Sequence, residues 1–461
     1  MNKTIMTSVI TMLAASVILS GCGGTADKTA DNQGGKATDA PKSVVKKEGP
    51  VTVRVALNKG EFSDDDVKAF QTQNPDTKIE VEEFDAQKLA AQFATNDAPD
   101  LIRTMGAVDL TSYVVKGLAM DITPYVKKSD VLKEDDFTPV VNLFRFDGKV
   151  QGQGPLYGMP KDWSPDFTVF YNKTLFDAAG VKVPDASKPL TWNELIDLGK
   201  KLTLKDGDKI KQYGLALGGK TQADLPTIMD YLASKGVKVF SDDMKTVDFT
   251  KPEVKDAFSL WVDATKSNIG KNDINQDPAP WGGDLFINNK AAMIVEGYWF
   301  SGIIRGDEKM KTHLGDYGML PAPVAENGKR VSPTGAATGL FMNKKTKNPD
   351  QAWKVYEYFM GGTPAKNRAS SGWGVPALKS LLPLMPQQTD FDKRVYAQLQ
   401  EELKYANTPL EINPFFLNGQ TLLDKYVTPV YFDKAKLDDA LKDLSKNANL
   451  IIQESMSAVS K

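Results

Sequence analysis

The chain has 461 residues, with 57 basic and 59 acidic side chains, a net charge of −2 and 41% hydrophobic residues, the make-up of an ordinary globular protein. No basic cluster stands out beyond Lys46-Lys47, so the electrostatic footprint of a nucleic-acid binder is missing, and beyond the first twenty residues no apolar run approaches the roughly 18 needed to cross a bilayer. With Cys22 the only cysteine and His313 the only histidine, a His/Cys zinc site, a haem site or a Ser-His-Asp triad is hard to assemble, and neither metal nor cofactor is expected.

The start of the chain reads as a targeting segment. Lys3 introduces an apolar run from Ile5 to Leu19, and Leu19-Ser20-Gly21 places small residues just before Cys22. That order is the signature of a bacterial lipoprotein signal, which predicts removal of residues 1–21 and lipidation of Cys22. Gly23 to Pro50 holds no aromatic residue and almost nothing to bury, so residues 22–50 are expected to be a tether with an end-to-end distance of roughly 30 Å. The expected location is the cell membrane, lipid-anchored and facing the extracellular or periplasmic side. The remainder, about 410 residues, exceeds the size at which a single core stops growing and predicts two lobes.

After Pro50 strand and helix alternate. Val51, Val53 and Val55 suit a strand; Ser63-x-x-Asp66 opens a helix that turns Val67 and Phe70 inward and stops at Asn74-Pro75. Ile79 and Val81 mark a second strand, Gln87 to Ala94 a second helix, and Asp100-Leu101-Ile102 a third strand. This α/β order predicts a parallel sheet with its ligand at the strands' carboxyl ends, here Asn58 to Glu61, which includes Lys59, and Arg103 to Gly106. Farther on, Thr191-x-x-Glu194, Thr250-x-x-Glu253 and Asn348-Pro349 read as helix starts. Ala352, Val355, Tyr356, Phe359 and Met360, and likewise Val254, Ala257, Phe258 and Trp261, repeat at helical spacing, which makes Trp192, Trp261 and Trp353 core residues.

Four other tryptophans lie beside Gly, Pro or Asp, outside any amphipathic helix. Trp163 stands in Lys161-Asp162-Trp163-Ser164-Pro165-Asp166, Trp281 in Pro280-Trp281-Gly282-Gly283-Asp284, Trp299 in Glu296-Gly297-Tyr298-Trp299, and Trp373 in Gly372-Trp373-Gly374. An indole on a loop needs a cover for its apolar face, and the C–H face of a sugar ring is one. The neighbouring Asp162, Asp284 and Glu296 carboxylates, with Tyr298, would accept hydroxyl hydrogen bonds in a ligand cleft.

Two motifs are decoys. Gly214 to Thr221 matches a phosphate-binding loop letter for letter, but Tyr213 to Leu217 reads as the strand itself, leaving only Gly218 to Thr221 as loop. Asp206-Gly207-Asp208 lacks the spaced acidic residues and closing Glu of a calcium loop.

Several stretches together resemble the extracellular solute-binding proteins of ATP-binding-cassette sugar importers, of the maltodextrin-binding-like type. They are Ala98-Pro99-Asp100-Leu101, Tyr157-Gly158-Met159-Pro160, Tyr171 to Val181 running on to Pro189-Leu190-Thr191-Trp192-Asn193-Glu194-Leu195, Ala291 to Trp299, Gly318-Met319-Leu320-Pro321 and Asn348 to Trp353, in the family's order. The tail after Leu381 carries no such motif. The resemblance implies a two-lobed periplasmic-binding-protein-like fold with strand crossings near 161–167, 317–323 and 372–377. It implies an N-terminal lobe of 51–162 plus 322–372, and a C-terminal lobe of 163–321 plus 373–461. It assigns Trp299 a stacking role on sugar, and it implies a non-enzymatic, monomeric receptor that closes on a carbohydrate, expected to be an oligosaccharide, and delivers it to permease subunits. The family's cleft also takes residues from the loop 103–108, which has no aromatic residue here, so a long α-glucan is not the expected cargo. Two alternatives remain open to the sequence. One is a polyol phosphate, polyamine or peptide cargo, with phosphate favouring Lys59, Arg103 and Lys161. The other is a surface glycoside hydrolase or lyase using two of Asp162, Asp166, Asp284 and Glu296.

Overall fold

In the computed structural model, which describes residues 49–106, 108–406, 410–416 and 419–459, two five-stranded sheets each carry their own helices. The signal segment, Cys22 and the tether as far as residue 48 lie outside the described residues.

Strand β1 (Val51–Leu57) is fully buried at Val53, Val55 and Leu57, and helix α1 (Asp64–Gln73) follows. The Ser63 hydroxyl accepts the Asp66 N–H at 3.1 Å, and three acids in the first turn face the positive end of the helix. Strand β2 (Thr77–Glu83) lies at the sheet edge, so Ile79 points to the core while Val81 stays exposed. Helix α2 (Ala86–Ala94), capped by Asp85, and β3 (Leu101–Met105) complete the parallel unit, with β1 between β2 and β3. After a short hairpin, β4 (Gly158–Pro160) forms the far edge of this sheet.

The chain then enters the second sheet at β5 (Val169–Asn172). Helix α3 (Trp192–Leu202) begins with a reciprocal capping box, Glu194 N–H to the Thr191 hydroxyl at 3.1 Å and Thr191 N–H to the Glu194 carboxylate at 2.7 Å. Strands β6 (Leu204–Asp206) and β7 (Lys209–Leu217) form a hairpin turning at Gly207, whose φ of +58° accounts for the Asp-Gly pair without calcium. Strand β7 runs through the phosphate-loop look-alike. A Cβ on Gly214 would lie 1.8 Å from the Gly199 carbonyl oxygen, so that glycine permits α3 to pack against β7. Helix α4 (Leu225–Lys235) starts at Asp224, and α5 (Pro252–Lys266) at Lys251. Thr250 does not cap α5 as expected: its hydroxyl donates to Asp248 at 2.6 Å, and Pro252 sets the first turn. Helix α6 (Gly282–Ile287), β8 (Ala291–Val295) and β9 (Tyr317–Leu320) finish the second sheet, in the order β9-β5-β8-β7-β6.

Strand β10 (Thr338–Met342) returns to the first sheet and inserts antiparallel between β3 and β4, giving β2-β1-β3-β10-β4. Ala322 and Ala325 still pack into the second core, so this return takes place after the region of 317–323 expected from the sequence. Helix α7 (Pro349–Gly361) buries the expected face, and α8 (Thr363–Ser371) follows it. Ala377, Leu378 and Leu381 pack with the first core, because the Thr138 N–H and hydroxyl both donate to the Ala377 carbonyl. The motif-free tail supplies α9 (Asp390–Glu402), α10 (Gly419–Tyr431) and α11 (Leu437–Val459). Helix α9 covers one face of the second sheet while α10 and α11 join the core on the other. Trp192, Trp261 and Trp353 are buried; the first two meet edge to face at 5.5 Å.

Candidate functional site

A cavity of about 450 Å³ lies between the two sheets, at the carboxyl ends of β1 and β3 on one side and of β7 and β8 on the other. Asn58, Glu61, Arg103 and Met105 face it from the first sheet, and Leu217, Gly218, Val295, Glu296 and Trp299 from the second. The crossing segments contribute Lys161 to Asp166 and Gly335 to Thr338. This is where a parallel α/β unit leaves its loops free to meet a ligand.

The first-sheet side is an ion-pair network. Glu61 contacts Arg103 at 3.3 Å and Lys161 at 3.4 Å, Lys161 donates to Asp162 at 2.6 Å, and the Thr338 hydroxyl donates to Asp162 at 3.1 Å. The Lys161 side chain is only 2% exposed, so its charge is affordable only because two carboxylates hold it. Burial pushes the Glu61 carboxyl up, but Lys161 and Arg103 outweigh it and hold the group below its usual range. Behind this network Arg368 lies over the Phe359 ring at 4.3 Å, and burial lowers its guanidinium to about 10.

The second-sheet side carries acid without base. Asp166 accepts from the Ser164 hydroxyl at 2.7 Å, Gly335 N–H at 2.8 Å, the Thr334 hydroxyl at 3.0 Å and Ala336 N–H at 3.1 Å. Asp224 caps α4 by accepting from the Thr227 N–H at 2.8 Å and hydroxyl at 2.7 Å. Withdrawal from water pushes both carboxyls up despite these donors. Glu296 is pushed well above the usual carboxylate range, first by loss of water and then by repulsion from Asp166 and Asp224. Glycines make the crowding possible. A Cβ on Gly218 would stand 2.8 Å from a Glu296 carboxylate oxygen, and one on Gly297 would stand 2.2 Å from the Ser164 hydroxyl and 2.3 Å from Asp166.

Trp299 is the centre of an aromatic cluster, stacked on Trp281 at 6.2 Å and tilted against Trp373 at 6.3 Å. Trp373 is the most open of these rings, 37% exposed. Trp163 packs against both cores, and its backbone exchanges two hydrogen bonds with Val375, at 3.0 and 2.7 Å. Its indole N–H is buried with no hydrogen-bond partner among the described residues.

Of the residues expected at the ligand, Trp299, Trp163, Trp373, Asp162, Glu296, Asn58 and Arg103 line the cavity. Four do not. Lys59 is exposed outside it and donates its backbone N–H to Glu83. Tyr298 is fully buried in the core beside Arg305. Trp281 supports Trp299 from behind, and the Asp284 carboxylate accepts the Trp281 N–H at 3.2 Å at the start of α6. The wall also includes Asp224, Thr227, Ser164 and Thr338, which sequence reasoning passed over. Asp224-Leu225-Pro226-Thr227 was a readable helix start, with a side-chain cap and a proline in the first turn, but nothing in its spacing ties it to the other sheet. Beyond Gly219, Asp224, Pro226 and Gly335 the cavity opens onto a larger, mostly apolar groove of about 1040 Å³, between α2 and the segment after it on one side and α4 and the 410–416 stretch on the other. His313 is exposed, away from the cavity.

The profile of the family described as bacterial extracellular solute-binding protein matches residues 57–361. A putative binding protein of Brucella abortus is 24% identical over 403 residues, covering 86% of this chain and 90% of its own. The maltodextrin-binding protein of Bacillus subtilis is 26% identical over 324 residues, 67% of this chain and 68% of its own. Among solved structures, the substrate-binding protein of an ATP-binding-cassette transporter from Listeria monocytogenes, in complex with cycloalternan, superposes with a TM-score of 0.71 at 24% identity, over 87% of this chain and 98% of that one.

Proposed function

We infer that this chain, which belongs to the bacterial extracellular solute-binding protein family, captures a carbohydrate between its two lobes and delivers it to the permease subunits of an ATP-binding-cassette importer. The observation that carries this reading is the cavity wall itself, where the indoles of Trp163, Trp299 and Trp373 stand beside the carboxylates of Asp162, Asp166 and Glu296. Aromatic faces receive sugar C–H faces and carboxylates accept sugar hydroxyls. The opening of the cavity into the larger groove suits an oligosaccharide better than a single sugar, and the cycloalternan complex of the Listeria protein and the maltodextrin-binding relative support the same class.

Capture works by closure about the crossings at 161–168 and 321–337 and the Trp163–Val375 pairing. Closing the lobes excludes water, strengthens the polar contacts and gives the membrane partner two distinguishable shapes. The receptor acts as a monomer tied to the membrane through lipid on Cys22. Binding is favoured over hydrolysis by the commitments of the carboxylates. Asp166 accepts four hydrogen bonds, Asp162 is held by Lys161 and Thr338, and Asp284 stands off the cavity, whereas hydrolysis needs two working acids.

The test is a melting-temperature screen against mono- and oligosaccharides, polyol phosphates and amines, with product analysis on every hit. A glycan at 100 times its Kd should stabilise the protein by about 2.7 kcal/mol and leave it unconsumed. Turnover of the glycan, or stabilisation by phosphates alone, would overturn the reading.

A further inference from the structure

The cavity's charges are divided unevenly. On the first-sheet side Lys161 and Arg103 are matched one for one by Glu61 and Asp162. On the second-sheet side Asp166, Asp224 and Glu296 face the same space, and no lysine, arginine or histidine joins them among the lining residues. Asp166 and Asp224 at least have N–H and O–H donors. Glu296 has none: its main chain pairs with Thr168, but its carboxylate has no hydrogen-bond partner among the described residues. Neither nearby cation is free to turn toward it, since Lys161 is held by two carboxylates and Arg103 by Glu61.

The three residues are half-buried, so water still reaches the cavity wall they share; lobe closure would remove that water and leave three mutually repelling carboxylates, which is costly unless something positive joins them. A neutral sugar relieves only the missing hydrogen bonds. A cation relieves the missing hydrogen bonds and the repulsion together. Trp299, on the same wall, offers a ring face that suits a sugar and also attracts a cation.

We propose that the cargo is a glycan bearing a protonated amino group, whose ammonium donates to Glu296, flanked by Asp166 and Asp224, while a ring of the same ligand lies on Trp299. This rests on the carbohydrate reading above and names the chemical class within it. Glu296 is then the residue that separates amino sugars from their neutral counterparts. Gly218 is its accomplice, since any side chain there would push into the carboxylate.

The test is calorimetric titration of the purified protein with matched sets: glucosamine and its oligomers, the N-acetylated forms and the corresponding glucose forms, together with the galactosamine set and spermidine. The amino member of a set is expected to bind roughly tenfold or more tightly than its N-acetyl and hydroxyl counterparts, the value of one charge-assisted hydrogen bond. Its affinity should fall with added salt more steeply than theirs. In Glu296→Gln the preference should collapse to within about threefold, with the fold checked by circular dichroism. The salt dependence of the wild-type protein stands as evidence independent of that variant. Equal or tighter binding of a neutral member would overturn the proposal and leave carbohydrate capture standing, as would a preference that survives Glu296→Gln. Binding of spermidine with no glycan would overturn the carbohydrate reading beneath it, and no binding by any of these probes would overturn both.

Discussion

Replacing Trp299 by Ala separates the ligand platform from the scaffold that holds it. The indole makes three ring contacts, with Trp281 at 6.2 Å, Phe300 at 5.7 Å and Trp373 at 6.3 Å. At roughly 0.5–1.5 kcal/mol per aromatic pair, and with the ring itself only partly buried, the variant should lose about 2–4 kcal/mol of stability. If the same ring carries a sugar face, affinity should fall by a further 1–3 kcal/mol, roughly 5- to 150-fold. The control is Trp281→Ala, which removes a ring from the same cluster that does not line the cavity. It should cost comparable stability but several-fold less affinity. Thermal melts give the first quantity and isothermal calorimetry with the cargo gives the second. If both variants lose affinity equally, or folded Trp299→Ala binds unchanged, the platform argument is wrong.

Three further outcomes are expected. Asp109, whose carboxyl burial raises from 3.8 to about 6 against the opposing Thr104 hydroxyl and Met105 N–H, holds its proton more tightly folded than unfolded. Stability is therefore fully present below about pH 4 and declines as pH rises toward about 6, a window worth on the order of 3 kcal/mol. Asp109→Asn should flatten that part of a denaturation-versus-pH profile, and an unchanged slope would refute the assignment. Asp162→Ala leaves the Lys161 ammonium buried with Glu61 alone at 3.4 Å and should cost about 3 kcal/mol in chemical denaturation; a loss below about 1 kcal/mol would show that the pair is not the support described. Gly283→Ala would place a Cβ 2.2 Å from the Trp281 ring, so it should cost about 1–3 kcal/mol and change tryptophan fluorescence, and an unaltered spectrum would count against the packing.

What the sequence displayed was local. The Thr191-x-x-Glu194 box, the Ser63 cap and the inward face of α7 are set by residues within one or two turns of each other, and the structure has them as read. Thr250 shows the limit of such a pattern, because Asp248, two residues earlier, takes the hydroxyl the helix would have used. The cavity was legible only in part. Trp163, Trp299 and Trp373 could be singled out because they broke helical periodicity beside Gly and Asp. Tyr298 stands beside Trp299 in the same motif yet turns into the core, a difference of side-chain direction that residue type does not encode. Asp224 and Gly218 become cavity residues only through the meeting of β7, α4 and β8, whose residues are spread from 209 to 295.

The placement of β10 sets an order on maturation. In the register of the first sheet Thr338 lies opposite Met105, so the strand that closes β3 arrives late in synthesis. Until it does, β3 offers an unsatisfied row of backbone amides and carbonyls, the kind of edge that recruits other chains. Every strand of the second sheet, by contrast, precedes Pro321. A polypeptide ending there would hold all five strands of the second sheet, still without α9, α10 and α11 to cover them, and an aggregation-prone remnant of the first, so the first sheet begun is the last one closed.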